Sequence, residues 1–89
     1  MEELLKEKTA DEMFSELGFE KEIESTFGIN YKNKNDNINF IKGIKGSNLV
    51  SCTRYVFIED EGVHIQNSFP INMQELQAIN KKCKELGWI

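Results

Sequence analysis

The chain has 89 residues, 39% of them hydrophobic and 29% charged, with a net charge of −4 and a pI near 5.0. That length has room for one hydrophobic core and not for two, and the composition is too apolar for a largely disordered chain. The acidic balance argues against a partner held through phosphate backbones, because such binding needs concentrated positive charge that releases counterions.

The opening Met1-Glu2-Glu3-Leu4-Leu5-Lys6 carries acid where a signal peptide needs positive charge, and no apolar run approaches the length of a membrane span. The expected location is therefore the cytoplasm, away from membranes. Residues 1–8 either extend the first helix, as the Glu2 to Lys6 spacing of four would support, or form a tail; the sequence leaves both open. Thr9-Ala10-Asp11-Glu12 has the capping-box pattern, in which the threonine hydroxyl accepts from a backbone N–H three residues on and the glutamate reaches back. A helix is predicted from Ala10, with Met13, Phe14 and Leu17 on its apolar face. It closes with Glu16-Leu17-Gly18-Phe19, where glycine takes the left-handed position past the helix end and the aromatic folds back on the last turn.

From Phe27 the apolar period becomes two: Phe27, Ile29 and Tyr31 alternate with Gly28, Asn30 and Lys32, the mark of a strand with one buried face. Asn33 to Asn37 is a turn by composition, and the return strand through Ile38 and Phe40 should set these residues beside Tyr31 and Ile29. Two glycines between Gly43 and Asn48 break the pattern before a long β run from Leu49 to Ile58. Glu59-Asp60-Glu61-Gly62 reads as a solvated turn leading to a last strand, Val63 to Asn67. A second capping box, Asn72-Met73-Gln74-Glu75, opens a helix with Met73, Leu76, Ile79, Cys83 and Leu86 on one stripe and Glu85-Leu86-Gly87-Trp88 at its end. The order predicts an α+β fold in two layers, α-β-β-β-β-α. An antiparallel meander sheet carries both helices on one face, and residues 9–89 form a single domain.

The parity of the turn after Ile58 assigns the faces of the last two strands without fixing their register. Val56, Ile58, Val63 and Ile65 share the face under the helices, while Thr53, Tyr55, Phe57, His64 and Gln66 share the other. A two-layer domain leaves that second face to solvent, where polar residues are the default. Tyr55 and Phe57 beside hydrogen-bonding side chains suit a contact surface, since rigid rings bury much area for little lost entropy. A competing reading has Leu4 and Leu5, or the loop at Ile44, folded over this face as a second minor core.

Arg54 is the only arginine and could fork onto a carboxylate or phosphate; the simpler reading pairs it with a helix glutamate at the sheet end. His64 is the only histidine and has no acid or thiol in its pattern. Cys52 and Cys83 belong to no Cys-x-x-Cys pair and read as small apolar residues of a reducing compartment. Phosphate loop, metal-ligand spacing and nucleophile-base sets are all missing from the sequence, so neither an enzyme nor a cofactor is expected.

Helix, sheet and helix in this order resemble the double-stranded RNA-binding domain in topology alone. That family reads phosphates with lysines at the start of its second helix, where this chain has Asn72, Met73, Gln74 and Glu75. Two phrases, Thr9-Ala10-Asp11-Glu12-Met13-Phe14-Ser15-Glu16-Leu17-Gly18-Phe19 and Met73-Gln74-Glu75-Leu76-Gln77-Ala78-Ile79-Asn80 with its Glu-Leu-Gly-Trp closure, resemble small proteins encoded by phages and prophages of low-GC Gram-positive bacteria. The abundance of Lys, Asn and Ile, whose codons are AT-rich, agrees with that origin. The resemblance implies an accessory protein of a mobile element and carries no site residues.

The expected function is stoichiometric binding of a host or phage protein, with inhibition of a host defence as one form of it. The binding residues would be Tyr55, Phe57, His64, Gln66 and Arg54. Sequestration of a small nucleotide signal is the alternative, and nucleic-acid binding ranks below both. Self-association fits each of these, because both faces of the Leu49 to Ile58 run are partly apolar.

Overall fold

A computed structural model describes residues 8–58 and 63–89, with side chains described up to residue 55 and from residue 67. The choice between tail and helix extension for residues 1–7, and the acidic turn at 59–62, lie outside the described residues. In chain order the elements are α1 (Ala10–Glu16), β1 (Glu20–Ser25), β2 (Gly28–Asn33), β3 (Asp36–Ile41), a 3₁₀ turn (Ile44–Gly46), β4 (Leu49–Ile58), β5 (Val63–Ser68) and α2 (Met73–Glu85). The strands form an antiparallel meander in the order β1-β2-β3-β4-β5, and both helices cover one face of it.

Both helices start and stop by the chemistry their sequences carry. Thr9 and Asn72 each accept from the backbone N–H three residues on, and Glu12 and Glu75 return the bond to the cap backbone. At the other ends, the Phe19 N–H reaches the Phe14 carbonyl at 2.9 Å and the Trp88 N–H reaches the Cys83 carbonyl at 2.8 Å. Gly18 and Gly87 occupy the left-handed positions between, at φ 89° and 75°. These two closures aim Phe19 and Trp88 back at the core, which both join.

The hairpin of β2 and β3 has the anticipated register, with Tyr31 opposite Ile38 and Ile29 opposite Phe40. Its tight turn places Lys34 in the left-handed region at φ 56°. Val50 and Cys52 continue the same face onto β4, opposite Phe40 and Ile38. β4 pairs with β3 from Leu49 to Arg54 and with β5 from Thr53 to Ile58, so the last hairpin runs on past the end of β3.

Three details differ from the sequence reading. The sheet has a further strand, β1, formed by Glu-Lys-Glu-Ile-Glu-Ser, whose six residues are all exposed. A charged run without apolar alternation gives no strand signal, yet it suits a sheet edge, where charges and the irregularity between Lys21 and Ile23 discourage pairing with another chain. Phe27 lies in the turn between β1 and β2 and is exposed rather than opening a buried strand face. On α2 the buried stripe is Ala78, Ile79 and Lys82 with Cys83 partly covered, while Met73 and Leu76 face outward.

Phe14 sits at the centre of the core. Fully buried, its ring stacks on Tyr31 at 4.1 Å and meets Phe19 and Phe40 edge-on at 6.0 Å each. One turn back on the same helix, Asp11 accepts hydrogen bonds from the Tyr31 hydroxyl, from Lys21 Nζ at 2.8 Å and from Lys82 Nζ at 3.4 Å. Lys82 is itself buried, 6.0 Å from the centre of the Tyr31 ring. Glu85 from the last turn of α2 accepts the Ala10 N–H at 2.9 Å, which satisfies a free donor at the start of α1. Charge pairing thus joins α1, α2, β1 and β2 above the aromatic stack.

Burial alone would push the Asp11 carboxyl up, but the Lys21 and Tyr31 hydrogen bonds and the charge of Lys82 outweigh it and hold the group down at about 2. Burial and the neighbouring Asp11 push the Tyr31 hydroxyl well above its ordinary value. Because the Asp11 value is depressed in the folded chain, its contribution is complete above the ordinary carboxylate value of 3.8 and is lost as pH falls toward about 2. Urea unfolding of Asp11→Asn should show lower stability at neutral pH than the parent, and the gap should close over that acid window. Phe14→Ala should cost about 3–5 kcal/mol in the same measurement. That is a large fraction of the roughly 5–15 kcal/mol that holds a domain together.

Candidate functional site

The helices and the aromatic stack occupy one face of the sheet and leave the other open. Register fixes what that open face carries: Ile23 on β1, Asn30 on β2, Asn37, Asn39 and Ile41 on β3, and Leu49, Ser51, Thr53 and Tyr55 on β4. Four of these are large apolar side chains in solvent, with Ile23 63% exposed, Leu49 61%, Ile41 42% and Tyr55 37%. Phe27, at 79%, stands beside them at the β1–β2 turn. Ile23, Phe27 and Ile41 rim a shallow hollow of about 210 Å³. Ile41 and Leu49 are direct cross-strand partners, and the hollow carries this apolar end over Gly28 of β2 to Ile23 on β1.

Between this end and Tyr55 the floor is polar and short-chained. Asn30 Nδ2 donates to Asn39 Oδ1 at 2.6 Å and to Asn37 Oδ1 at 3.4 Å, tying β2 to β3 on the face away from the core. Asn37 is nevertheless buried, and its Nδ2 has no hydrogen-bond partner among the described residues; the same holds for Oγ1 of Thr53, its partner across the ladder. Buried polar atoms without partners cost free energy, and native structures keep few of them. Charge is sparse here: Lys32, at the same parity, lies 3.7 Å from Glu22. The face therefore offers apolar area, hydrogen-bonding capacity and almost no net field, which suits a protein surface and not a phosphate backbone.

Of the residues singled out from sequence, Tyr55 lies on this face, half out of the surface. Register pairs it with Gln66 and pairs Phe57 with His64, as the turn parity required; the side chains of Phe57, His64 and Gln66 lie outside those described. Arg54 occupies the helix-facing side, opposite Asn67 on β5 and Asp36 on β3. Its guanidinium donates to both Asp36 oxygens, from Nε at 2.6 Å and from Nη2 at 3.0 Å, and lies 5.2 Å from the Phe69 ring centre. Its partner is a strand aspartate rather than a helix glutamate, and the fork is already filled. Ile44 is 82% exposed, so its loop does not cover the open face; Leu4 and Leu5 lie outside the described residues.

Ile23, Ile41 and Leu49 were not legible as surface residues. Ile41 follows Phe40 and so breaks the alternation, and Leu49 precedes Val50 in the same way; the outward member of each apolar pair was the signal. Cys52 and Cys83 are unpaired and pack against the core from its helix side, where burial pushes both thiols up. Among the described residues no three acids, histidines or cysteines are grouped to hold a metal ion, and no helix is long and apolar enough to cross a membrane.

Compared with known proteins, the chain matches no family model, no curated protein and no solved structure.

The unpartnered hydroxyl makes a sharp expectation. Thr53→Val removes a buried group with no partner among the described residues and should leave stability unchanged or raise it by up to about 1 kcal/mol. Asn30→Ala removes the donor that serves two carboxamides and should cost about 1–3 kcal/mol. Parallel thermal and urea unfolding of the two variants checks both.

Proposed function

We propose that the protein is a non-enzymatic binding protein that presents the open face of its sheet to a protein partner. The carrying observation is the exposed apolar end, Ile23, Phe27, Ile41 and Leu49, beside a polar floor of mutually bonded asparagines. An interface core of this kind gains from apolar burial within a polar surround. Tyr55 at the far end of the described face adds an amphipathic ring of the type that anchors interfaces. The same arrangement lacks the positive field that nucleic acid would need.

The resemblance of the helix phrases to phage and prophage proteins sets the context of the proposal. An accessory protein of a mobile element acts on a host or phage protein by binding it one to one, and blocking a host defence factor is one outcome of such binding. Nothing in this mode requires a catalytic group or a cofactor.

The test is tagged capture from the native host, with and without phage infection, followed by native mass spectrometry. The parent should carry a stoichiometric protein that survives nuclease treatment. Leu49→Lys and Tyr55→Ser should each lose it by tenfold or more in affinity, which is about 1.4 kcal/mol, with melting temperatures unchanged. Ile89→Lys, an exposed change at the chain end, should retain it. A partner held equally by all three variants would place the interface elsewhere.

A further inference from the structure

A cavity lies on the helix side of the sheet, at the end where the β1–β2 turn, the loop after β3 and the closure of α2 meet. It measures about 480 Å³, within the range of small-molecule sites. Half-buried Trp88 gives the pocket its accessible ring, and Phe40, 1% exposed, lies behind it with centroids 6.2 Å apart and planes tilted by 52°. Lys42 and Lys45 line the loop side. Neither ammonium has an ion-pair partner among the described residues. Glu24 is the single acid in the lining, and it is held 3.1 Å from Lys21. The pocket thus presents two free positive charges beside an aromatic wall, in a chain whose net charge is −4.

The loop bearing the lysines is closed rather than open-ended. The Gly43 N–H donates to Asn48 Oδ1 at 3.2 Å, and a Cβ on Gly43 would stand 1.9 Å from the Ser47 carbonyl oxygen, so only glycine permits this closure. Lys45 sits between them in the left-handed region, at φ 57° and ψ 38°, a conformation disfavoured for a lysine.

We infer that this pocket binds a nucleoside monophosphate, the base against Trp88 and the phosphate between Lys42 and Lys45. Base stacking on an aromatic side chain and ammonium contacts to phosphate are the two interactions these groups supply. The pairing of ring wall and two cations selects a ligand having both parts over either part alone. This site is separate from the open face and does not depend on it.

Trp88 is the only tryptophan in the chain, so its emission reports on the pocket directly. Titration with the four ribonucleoside 5′-monophosphates should give a saturable change with at least one of them. The matching nucleoside and inorganic phosphate should each bind at least tenfold more weakly. The double variant K42E/K45E should lose affinity by tenfold or more with its melting temperature kept, while K84E, an exposed change outside the pocket, should bind as the parent does. No saturable response to any monophosphate would overturn the inference. So would inorganic phosphate binding as tightly as the monophosphate, which marks a bare anion site, or binding undiminished in K42E/K45E.

Discussion

The stack of Phe14 on Tyr31, with Asp11 accepting the Tyr31 hydroxyl, is the contact on which the two-layer arrangement rests. It fixes α1 to β2 through an aromatic face and through a carboxylate one turn earlier on the same helix. Residues three apart lie on one helix face, so a single rotation of α1 satisfies both contacts. The buried Lys82 then attaches α2 to the same point, and Glu85 closes the arrangement by accepting the first free N–H of α1. Without Asp11, the buried phenol would lose its acceptor and Lys82 would keep only the 3.8 Å contact with Glu85, and breaking such a buried pair costs more than the pairing itself is favourable.

Concentrating the aromatic contacts on one face has a consequence for the other. Seven strand residues of that core face, Ile29, Tyr31, Ile38, Phe40, Val50, Cys52 and Lys21, are engaged by the helices or their charges. Their neighbours of opposite parity are left with no layer among the described residues to cover them. A sheet in that position limits indiscriminate pairing by polarity and by protected edges. Here β1 carries the protection, with Glu20, Lys21, Glu22 and Glu24 along an exposed edge strand, and the asparagines supply the polarity of the floor. Ile23, Phe27, Ile41 and Leu49 gather at one end, around Gly28 of β2, whose Cβ would collide with the Phe40 carbonyl oxygen at 2.1 Å.

The sequence was legible wherever one residue type serves one local purpose. Both capping boxes, both Gly-aromatic closures and the Tyr31–Ile38 and Ile29–Phe40 pairings are written in the residue pattern itself, because each depends on residues a few positions apart. β1 was hidden because an edge strand is selected for charge and not for alternation. The displaced stripe on α2 has a different cause: Lys82 looks like a surface residue until Asp11, 71 positions away, draws it inward. In the same way Tyr55 could be assigned to the open face from turn parity, whereas Asp36 as the partner of Arg54 required the β3–β4 register, which the loop from Lys42 to Asn48 conceals.

The asparagine floor also bears on why a binding face would be built this way. A floor of valine and isoleucine between Ile41 and Tyr55 would extend the exposed apolar area across the sheet and invite indiscriminate association. Asparagines that bond to each other, as Asn30 does to Asn39 and Asn37, keep the face compatible with water at low side-chain mobility. Asn37 Nδ2 and Thr53 Oγ1 are already shut away from solvent without a hydrogen-bond partner among the described residues, a cost internal to the domain. On a binding face so built, a partner unable to hydrogen-bond the half-buried Asn30 and Asn39 would gain only the apolar end, and discrimination would come from the polar centre. The free energy stored in two unmet hydrogen bonds is small beside the core contacts around Phe14, so the domain can carry it without losing its fold.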